Sequence, residues 1–396
     1  MNRILNITNK WWWPPVLMWF ATRIVTTMLF LIVAYIQGDN YWTPAHPGYF
    51  DFLNIWDVEW YHRIFTEGYP VTLPTSDGVV SQNAWAFMPA FPYTVKLLSL
   101  ITTIDWKFLA PFVATVFSFI AAVLVYKLFV RYVSPQTALW AIALLGLWCA
   151  SPALQAGYAD SMGLAALAFA LLLIDERKYL LAMIPTAVFA LSRPGAIAIA
   201  GALALIFADR LWHTRKHPAD FPITEKLQLA FATAIAGALG LAWPAIAWLV
   251  TGQPDAYLKT ELAWSYGYTG SDNLHLFQGW IVAANWDAPG GIGLVALALI
   301  VAAVVWSLLS PTTVALGLTM RTWMAAYWAY LFAFFFPQSS TWRILMPLLP
   351  LFAFLAVKTD KANRYFKALL VLVLIGLQLF WLLNCWMYTA PDYTPP

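Results

Sequence analysis

Residues 14–36 read Pro-Pro-Val-Leu-Met-Trp-Phe-Ala-Thr-Arg-Ile-Val-Thr-Thr-Met-Leu-Phe-Leu-Ile-Val-Ala-Tyr-Ile, 23 residues with one charge, Arg23. A hydrocarbon core of about 30 Å is crossed by about 20 apolar residues in a helix, so this run predicts a transmembrane span. Runs of the same kind recur at 108–130, 136–150, 158–174, 179–191, 194–208, 228–250, 290–309, 317–336, 343–357 and 367–389. They predict an all-α polytopic membrane protein of about 11 transmembrane helices, one integral membrane domain over 1–396. The 179–191 and 194–208 pair is too short for two ordinary spans. It predicts a bent hairpin split at Ser192-Arg193-Pro194-Gly195, because irregular backbone at membrane depth needs protein or a wet cavity around it.

Composition agrees. The chain is 62% hydrophobic and 10% charged, where a soluble domain carries about a quarter charged residues. A soluble domain with an anchor is excluded. The net charge of +3 is scattered among apolar runs, without the basic stripe that marks a nucleic-acid binder. Cys149 and Cys385 lie inside apolar runs and read as buried small hydrophobes, not as ligands or a disulfide. The first run has no A-x-A-like cleavage site at its end, so it predicts an uncleaved first helix. Asn6-Ile7-Thr8 matches a glycosylation acceptor but precedes that helix on the predicted inner side.

Orientation follows from the bias of Lys and Arg toward cytoplasmic loops. With the N-terminus cytoplasmic, 15 basic residues fall inside, among them Lys10, Lys127, Arg177, Arg210, Arg215 and Lys367, and six fall outside: Arg63, Lys96, Lys107, Arg193, Lys259 and Arg343. Most acidic residues lie outside, a second asymmetry that points to function, since acids contribute little to insertion. Two extracytoplasmic loops are long, 37–107 and 251–291, and both are rich in Trp, Tyr, Asp and Pro. Phe91–Thr103 is apolar but follows Met88-Pro89-Ala90-Phe91-Pro92, and is expected to lie on or dip into the outer leaflet. A full span there would turn Lys127 and Arg131 outward, against the charge bias.

The first of these loops opens with Ile55-Trp56-Asp57-Val58-Glu59-Trp60-Tyr61-His62-Arg63, the densest packing of ionisable and aromatic groups in the chain. In a helix Asp57 and Tyr61 share a face. A carboxylate beside partly apolar walls gains proton affinity and serves as a general base. The competing reading is a helix cap in an interfacial aromatic belt; the density of the cluster favours a site. Glu67-Gly68-Tyr69-Pro70 then stops the helix, since glycine ends it and proline does not continue it.

The series Trp56-Asp57…Trp60-Tyr61…Ile64…Gly68-Tyr69, followed by Phe87-Met88-Pro89…Phe91-Pro92, resembles the first luminal loop of the PIG-V family, mannosyltransferases of the GT-C superfamily. Three further stretches follow in family order. Gly157-Tyr158-Ala159-Asp160-Ser161 stands where the family has Tyr-Ser-Glu-Ser, with Asp160 for Glu. Leu191-Ser192-Arg193-Pro194-Gly195 resembles its Thr-Arg-Pro-x-Gly turn, and Trp342-Arg343-Ile344-Leu345-Met346-Pro347 its late arginine element. Bacterial members of similar style use polyprenyl-phosphate mannose in phosphatidylinositol mannoside assembly.

The resemblance implies a GT-C-type bundle in the plasma membrane with its active site extracytoplasmic. It implies inverting transfer of mannose from a polyprenyl-phosphate donor to a glycolipid or glycan acceptor, among membrane lipids. By position Asp57 matches the catalytic aspartate. A lipid-phosphate leaving group needs cationic neutralisation more than a general acid, and Arg193 and Arg343 are the candidates, with bidentate reach to phosphate. Snorkelling at the interface is the plain alternative for either. His275 is a further candidate phosphate contact. Candidate substrate-binding residues are Trp56, Glu59, Trp60, Tyr61, Arg63, Tyr158 and Asp160, with Trp264 and Tyr266 in the second loop. Asp160 alternatively orients Arg193 or caps a helix, and Glu59 alternatively pairs with Arg63. No cofactor and no metal is expected: the chain has no H-E-x-x-H, D-x-D or cysteine cluster, and a monophosphate donor carries less charge than a diphosphate. A lipid-sugar flippase is the main alternative function, but it calls for ionisable residues at the bilayer midplane. A non-catalytic scaffold for envelope enzymes is the other.

Overall fold

A computed structural model of the chain describes residues 10–271, 273–288, 290–391 and 394–396. Arg3, the Asn6-Ile7-Thr8 acceptor, Asp272 and Asp392 lie outside the described residues. Among the described residues, helices dominate, with one small antiparallel hairpin, Thr75–Ser76 against Val79–Val80. Among the described residues six helices are long and apolar enough to cross a membrane: Trp13–Ile36, Trp106–Phe129, Ala196–His213, Ile223–Thr251, Ile292–Leu309 and Arg364–Trp386. The chain is a multi-pass membrane protein. Exposed Leu, Ile, Val and Phe along these helices, such as Leu299 and Leu372, are lipid-facing surface and not a packing defect.

The other predicted spans are shorter helices. The 136–150 run is helical only over Pro135–Gly146, started by Ser134, whose Oγ accepts from Thr137 N–H, and by Pro135 in the first turn. Beyond it a 3₁₀ turn, Ser151–Gln155, leads to Asp160–Asp175. The 343–357 run starts its main helix only at Leu349. In the predicted hairpin, Met183–Ala190 is short, but Ala196–His213 reaches spanning length, longer than the 194–208 run suggested. Ala90–Thr102 is a 13-residue apolar helix where an interfacial helix was expected.

The chain divides into two units. The first comprises Met1–His62, Phe91–Leu172 and Ser339–Pro396. In it, residues predicted on the outer side meet one another: Gln37 donates to the Tyr388 carbonyl at 2.9 Å and Trp56 to the Trp386 carbonyl at 2.6 Å. Residues predicted inside likewise meet: Lys127 lies over the Trp11 ring, Lys367 over Trp140, and Trp140 donates to Thr359 at 2.8 Å.

The second unit comprises Arg63–Ala90 and Leu173–Gln338. There the two predicted outer loops pack on each other. Trp85, Met88 and Leu73 form an apolar core with Trp243, Ala247 and Ala256, and Tyr69 and Tyr257 close it. Trp85 donates to the Pro70 carbonyl and Trp243 to the Trp85 carbonyl, both at 2.9 Å, and Asn83 donates to Thr260 at 3.0 Å. Predicted inner residues again gather: Tyr179 and Arg210 both bond Glu225, and Arg177 stands 3.8 Å from it.

Candidate active site

The Asp57–Thr66 helix starts at Asp57, and the residue before it, Trp56, has φ 64°, a left-handed backbone that a bulky side chain rarely adopts. The turn is held from the C-terminal segment. Trp56 Nε1 donates to the Trp386 carbonyl, and Trp386 Nε1 donates to the Phe52 carbonyl at 2.9 Å. The Trp56 ring packs against Trp42 and Tyr388, with centroids 4.9 and 5.8 Å away. Strained backbone persists only where its surroundings over-determine it, and these contacts do so.

Two distant stretches converge on Asp57, one carrying Arg343 and the other Tyr158 and Asp160. Arg343 Nη1 donates to Asp57 Oδ2 at 2.8 Å and stands 3.9 Å from Asp160 Oδ2. The guanidinium carbon lies 4.8 Å from the centre of the Tyr158 ring. The Tyr158 hydroxyl accepts from the Asp57 backbone N–H at 3.3 Å. Tyr61, one turn along the helix from Asp57, is buried and meets Tyr158 edge-on at 6.3 Å. Arg343 and Asp160 side chains are 7% and 6% exposed, while that of Asp57 is 18% exposed. Asp57 is therefore the open member. Its Oδ2 is engaged by Arg343, and among the described residues its Oδ1 takes no hydrogen bond.

Two carboxylates thus share one buried guanidinium. Buried charges persist only when paired, so this trio is mutually dependent. Arginine carries five donors, and among the described residues nothing accepts from the buried Nε of Arg343. The arrangement offers a fixed carboxylate with an open acceptor oxygen beside a cation with donor capacity to spare. Arg343 is not snorkelling; it is engaged with Asp57 before any other anion arrives.

Arg193 belongs to the second unit and sits in the turn between Met183–Ala190 and Ala196–His213. Gly195 has φ 115°, and a Cβ there would lie 3.1 Å from Tyr327, so backbone and space both demand glycine. The Arg193 charge bears on Tyr257 and Tyr330, and Glu261 bonds the Tyr257 side chain. Burial and Glu261 push the Tyr257 phenol well above its ordinary range. This Arg193–Tyr257–Glu261–Tyr330 cluster was not expected; its only trace in the sequence is the one-turn spacing of Tyr257 and Glu261.

The remaining candidates scatter. Glu59 accepts from Trp42 Nε1 at 2.8 Å, a partner the sequence did not suggest. Trp60 is half-buried and Arg63 exposed. The cation at Asp160 is Arg343. Trp264 is half-buried with its ring edge-on to Phe87 at 5.8 Å, and Tyr266 is exposed. His275 is exposed, and its carbonyl accepts from Gln278 N–H at 3.2 Å. Among the described residues no three His, Cys, Asp or Glu side chains form a group suited to a metal ion.

Neither a family model nor a curated protein sequence matches the chain. Solved structures similar to the chain include two of an archaeal oligosaccharyltransferase. One is the Archaeoglobus fulgidus oligosaccharyltransferase tethered to an acceptor peptide containing the NVT sequon: 13% identity, TM-score 0.41, covering 92% of this chain and 54% of that one. The other is the archaeal oligosaccharyltransferase AglB of Archaeoglobus fulgidus with an inhibitory peptide and a dolichol-phosphate: 14% identity, TM-score 0.39, covering 92% and 55%. The chain thus spans a little over half the length of these two proteins.

Proposed function

We propose that the protein is an inverting GT-C-type, PIG-V-like glycosyltransferase that moves mannose from a polyprenyl-phosphate donor to a glycolipid or glycan acceptor at the extracytoplasmic face of the plasma membrane. The supporting observation is the Asp57–Arg343 contact at 2.8 Å, beside Tyr158 and Asp160, which joins three of the motif-bearing stretches at one point. Asp57 Oδ1 receives the proton of the acceptor hydroxyl. The acceptor oxygen bonds to the anomeric carbon as the bond to the polyprenyl phosphate breaks, and the lipid phosphate leaves with the electron pair. Arg343 holds the base in one orientation through Oδ2, and its guanidinium charge is the candidate to offset the charge that develops on the leaving phosphate. Arg193 and His275 remain candidate donor-phosphate contacts. Tyr158, Asp160, Trp56, Tyr61 and the second-loop rings are candidate walls for sugar and lipid.

The test uses purified full-length protein with polyprenyl-phosphate mannose and a glycolipid acceptor extract. Wild type transfers mannose; Asp57→Asn, which keeps an acceptor oxygen for Arg343, folds and transfers none. Normal turnover by Asp57→Asn removes Asp57 as the base. Movement of the sugar-lipid across liposomes without covalent transfer replaces the transferase with a flippase. The lipid that accumulates in a deletion strain identifies the acceptor.

A further inference from the structure

Arg23 is an ionisable residue inside the first spanning helix, a place where charge is costly and usually functional. It is buried, and among the described residues no carboxylate pairs with it. Its partners are carbonyls and hydroxyls of the broken segment that follows Pro135–Gly146. Nη2 donates to the Gly146 carbonyl at 2.6 Å and to Ser151 Oγ at 3.1 Å, and Nη1 donates to the Ser151 carbonyl at 2.9 Å. Its face lies 4.6 Å from the Trp19 ring centre. Gln378, from the last spanning helix, reaches the same place: Nε2 donates to the Gly146 carbonyl at 3.0 Å and to Ser151 Oγ at 2.8 Å. A helix ends in unsatisfied carbonyls with partial negative charge, and in a membrane no water is at hand to satisfy them. Arg23, Gln378 and the Ser151 hydroxyl, which donates to the Gly146 carbonyl at 2.6 Å, do so instead.

The segment held in this way leads directly to the site. Gln155, in the same 3₁₀ turn, donates to Tyr49 Oη at 2.8 Å, and Ser161 donates back to the Leu154 carbonyl at 2.7 Å. Two residues beyond the turn stand Gly157 and Tyr158, and then Asp160. We infer that Arg23 is a positioning residue: by tying off the end of the broken span it sets the Tyr158–Asp160 segment against Asp57 and Arg343. The inference rests on the transferase reading above. Arginine suits the place because its planar fork carries five donors and its charge complements the partial negative charge of the helix end.

The experiment uses the full-length protein in membranes with Cys385→Ser as background, leaving Cys149, buried in the held segment, as a native reporter. The probes are N-ethylmaleimide for Cys149 and polyprenyl-phosphate mannose for turnover. For Arg23→Gln we expect Cys149 to be modified several-fold faster. A site displaced by about 1 Å can lose about 100-fold in rate, so kcat is expected to fall at least tenfold while the donor KM stays near wild type. Arg23→Lys, which keeps the charge and a donor, is expected to recover most of both. Gln378→Leu removes the second donor to the same carbonyls, is expected to show the same pattern, and carries the test if Arg23→Gln does not fold. Wild-type kcat in Arg23→Gln, or a fall in kcat with Cys149 as protected as before, overturns the positioning role alone. Failure of the wild type to transfer mannose overturns the transferase reading and this inference with it.

Discussion

The energetics of the site turn on one buried residue. Arg343 holds Asp57 at 2.8 Å and faces Asp160 at 3.9 Å, so removing it leaves two carboxylates with no cation between them. Removing one partner of a buried pair costs about 3–5 kcal/mol, whereas replacing both with neutral groups of similar volume is often harmless. Arg343→Met should therefore lower the thermal midpoint markedly, and adding Asp57→Asn should recover part of the loss. Thermal unfolding in detergent, read as a double-mutant cycle, checks this. Additive effects of the two substitutions would show that the pair is not coupled. Space is as tight as charge here. A Cβ on Gly157 would lie 2.9 Å from Val58 Cγ1, so only glycine lets the Tyr158 segment approach the start of the Asp57 helix this closely. That Asp57 carries the site's open carboxylate was legible in the cluster around it. The partner was not: 286 residues separate Asp57 from Arg343, and an arginine near a span end reads equally as a snorkelling charge.

Among elements, the long helices were legible because hydropathy over about 20 residues is a strong signal, and the ends of Trp13–Ile36 and Trp106–Phe129 fall within two residues of the expected runs. The break was legible in outline: the expected runs stop at 150 and resume at 158, but the helix ends earlier, at Gly146. Ser151 and Pro152 lie in the break, and the freed Gly146 carbonyl is satisfied by the Ser151 hydroxyl and by Arg23 and Gln378 from other helices, partners that the sequence does not show. The outer loops were read as separate aromatic segments, yet the rings of Tyr69, Trp85 and Trp243 pack with centroids within 5.0 Å of one another and bind loop to helix. An interfacial belt and a packed aromatic core have the same composition, so the sequence did not distinguish them. Truncating a buried Trp costs about 3–5 kcal/mol. Trp243→Ala should free the 67–90 segment and speed proteolytic cleavage at the exposed Asp77-Gly78 turn, while Trp243→Phe, which keeps the stacking, should change it far less. Equal cleavage in wild type and Trp243→Ala would mean that the segment is held elsewhere.

For the whole molecule, the charge bias assigns every loop to a side. In the first unit Gln37 and Trp56, expected outside, meet Tyr388 and Trp386 at the end of the last expected span, and Trp11 and Lys367, expected inside, meet Lys127 and Trp140. On the expected topology short helices such as Met183–Ala190 carry the chain from one side to the other as the long ones do, although eight residues rise only about 12 Å. Under the proposed transferase reading this alternation sets the side on which Asp57 works and on which a lipid-phosphate sugar donor presents its headgroup. In a Cys149→Ser, Cys385→Ser background, a cysteine at Asp77 should react with an impermeant maleimide in intact cells. One at Arg215, between Ala196–His213 and Ile223–Thr251, should react only after permeabilisation. The reverse pattern would turn Asp57 toward the cytoplasm, where the acidic excess of the long loops would face nucleotide-sugar donors instead.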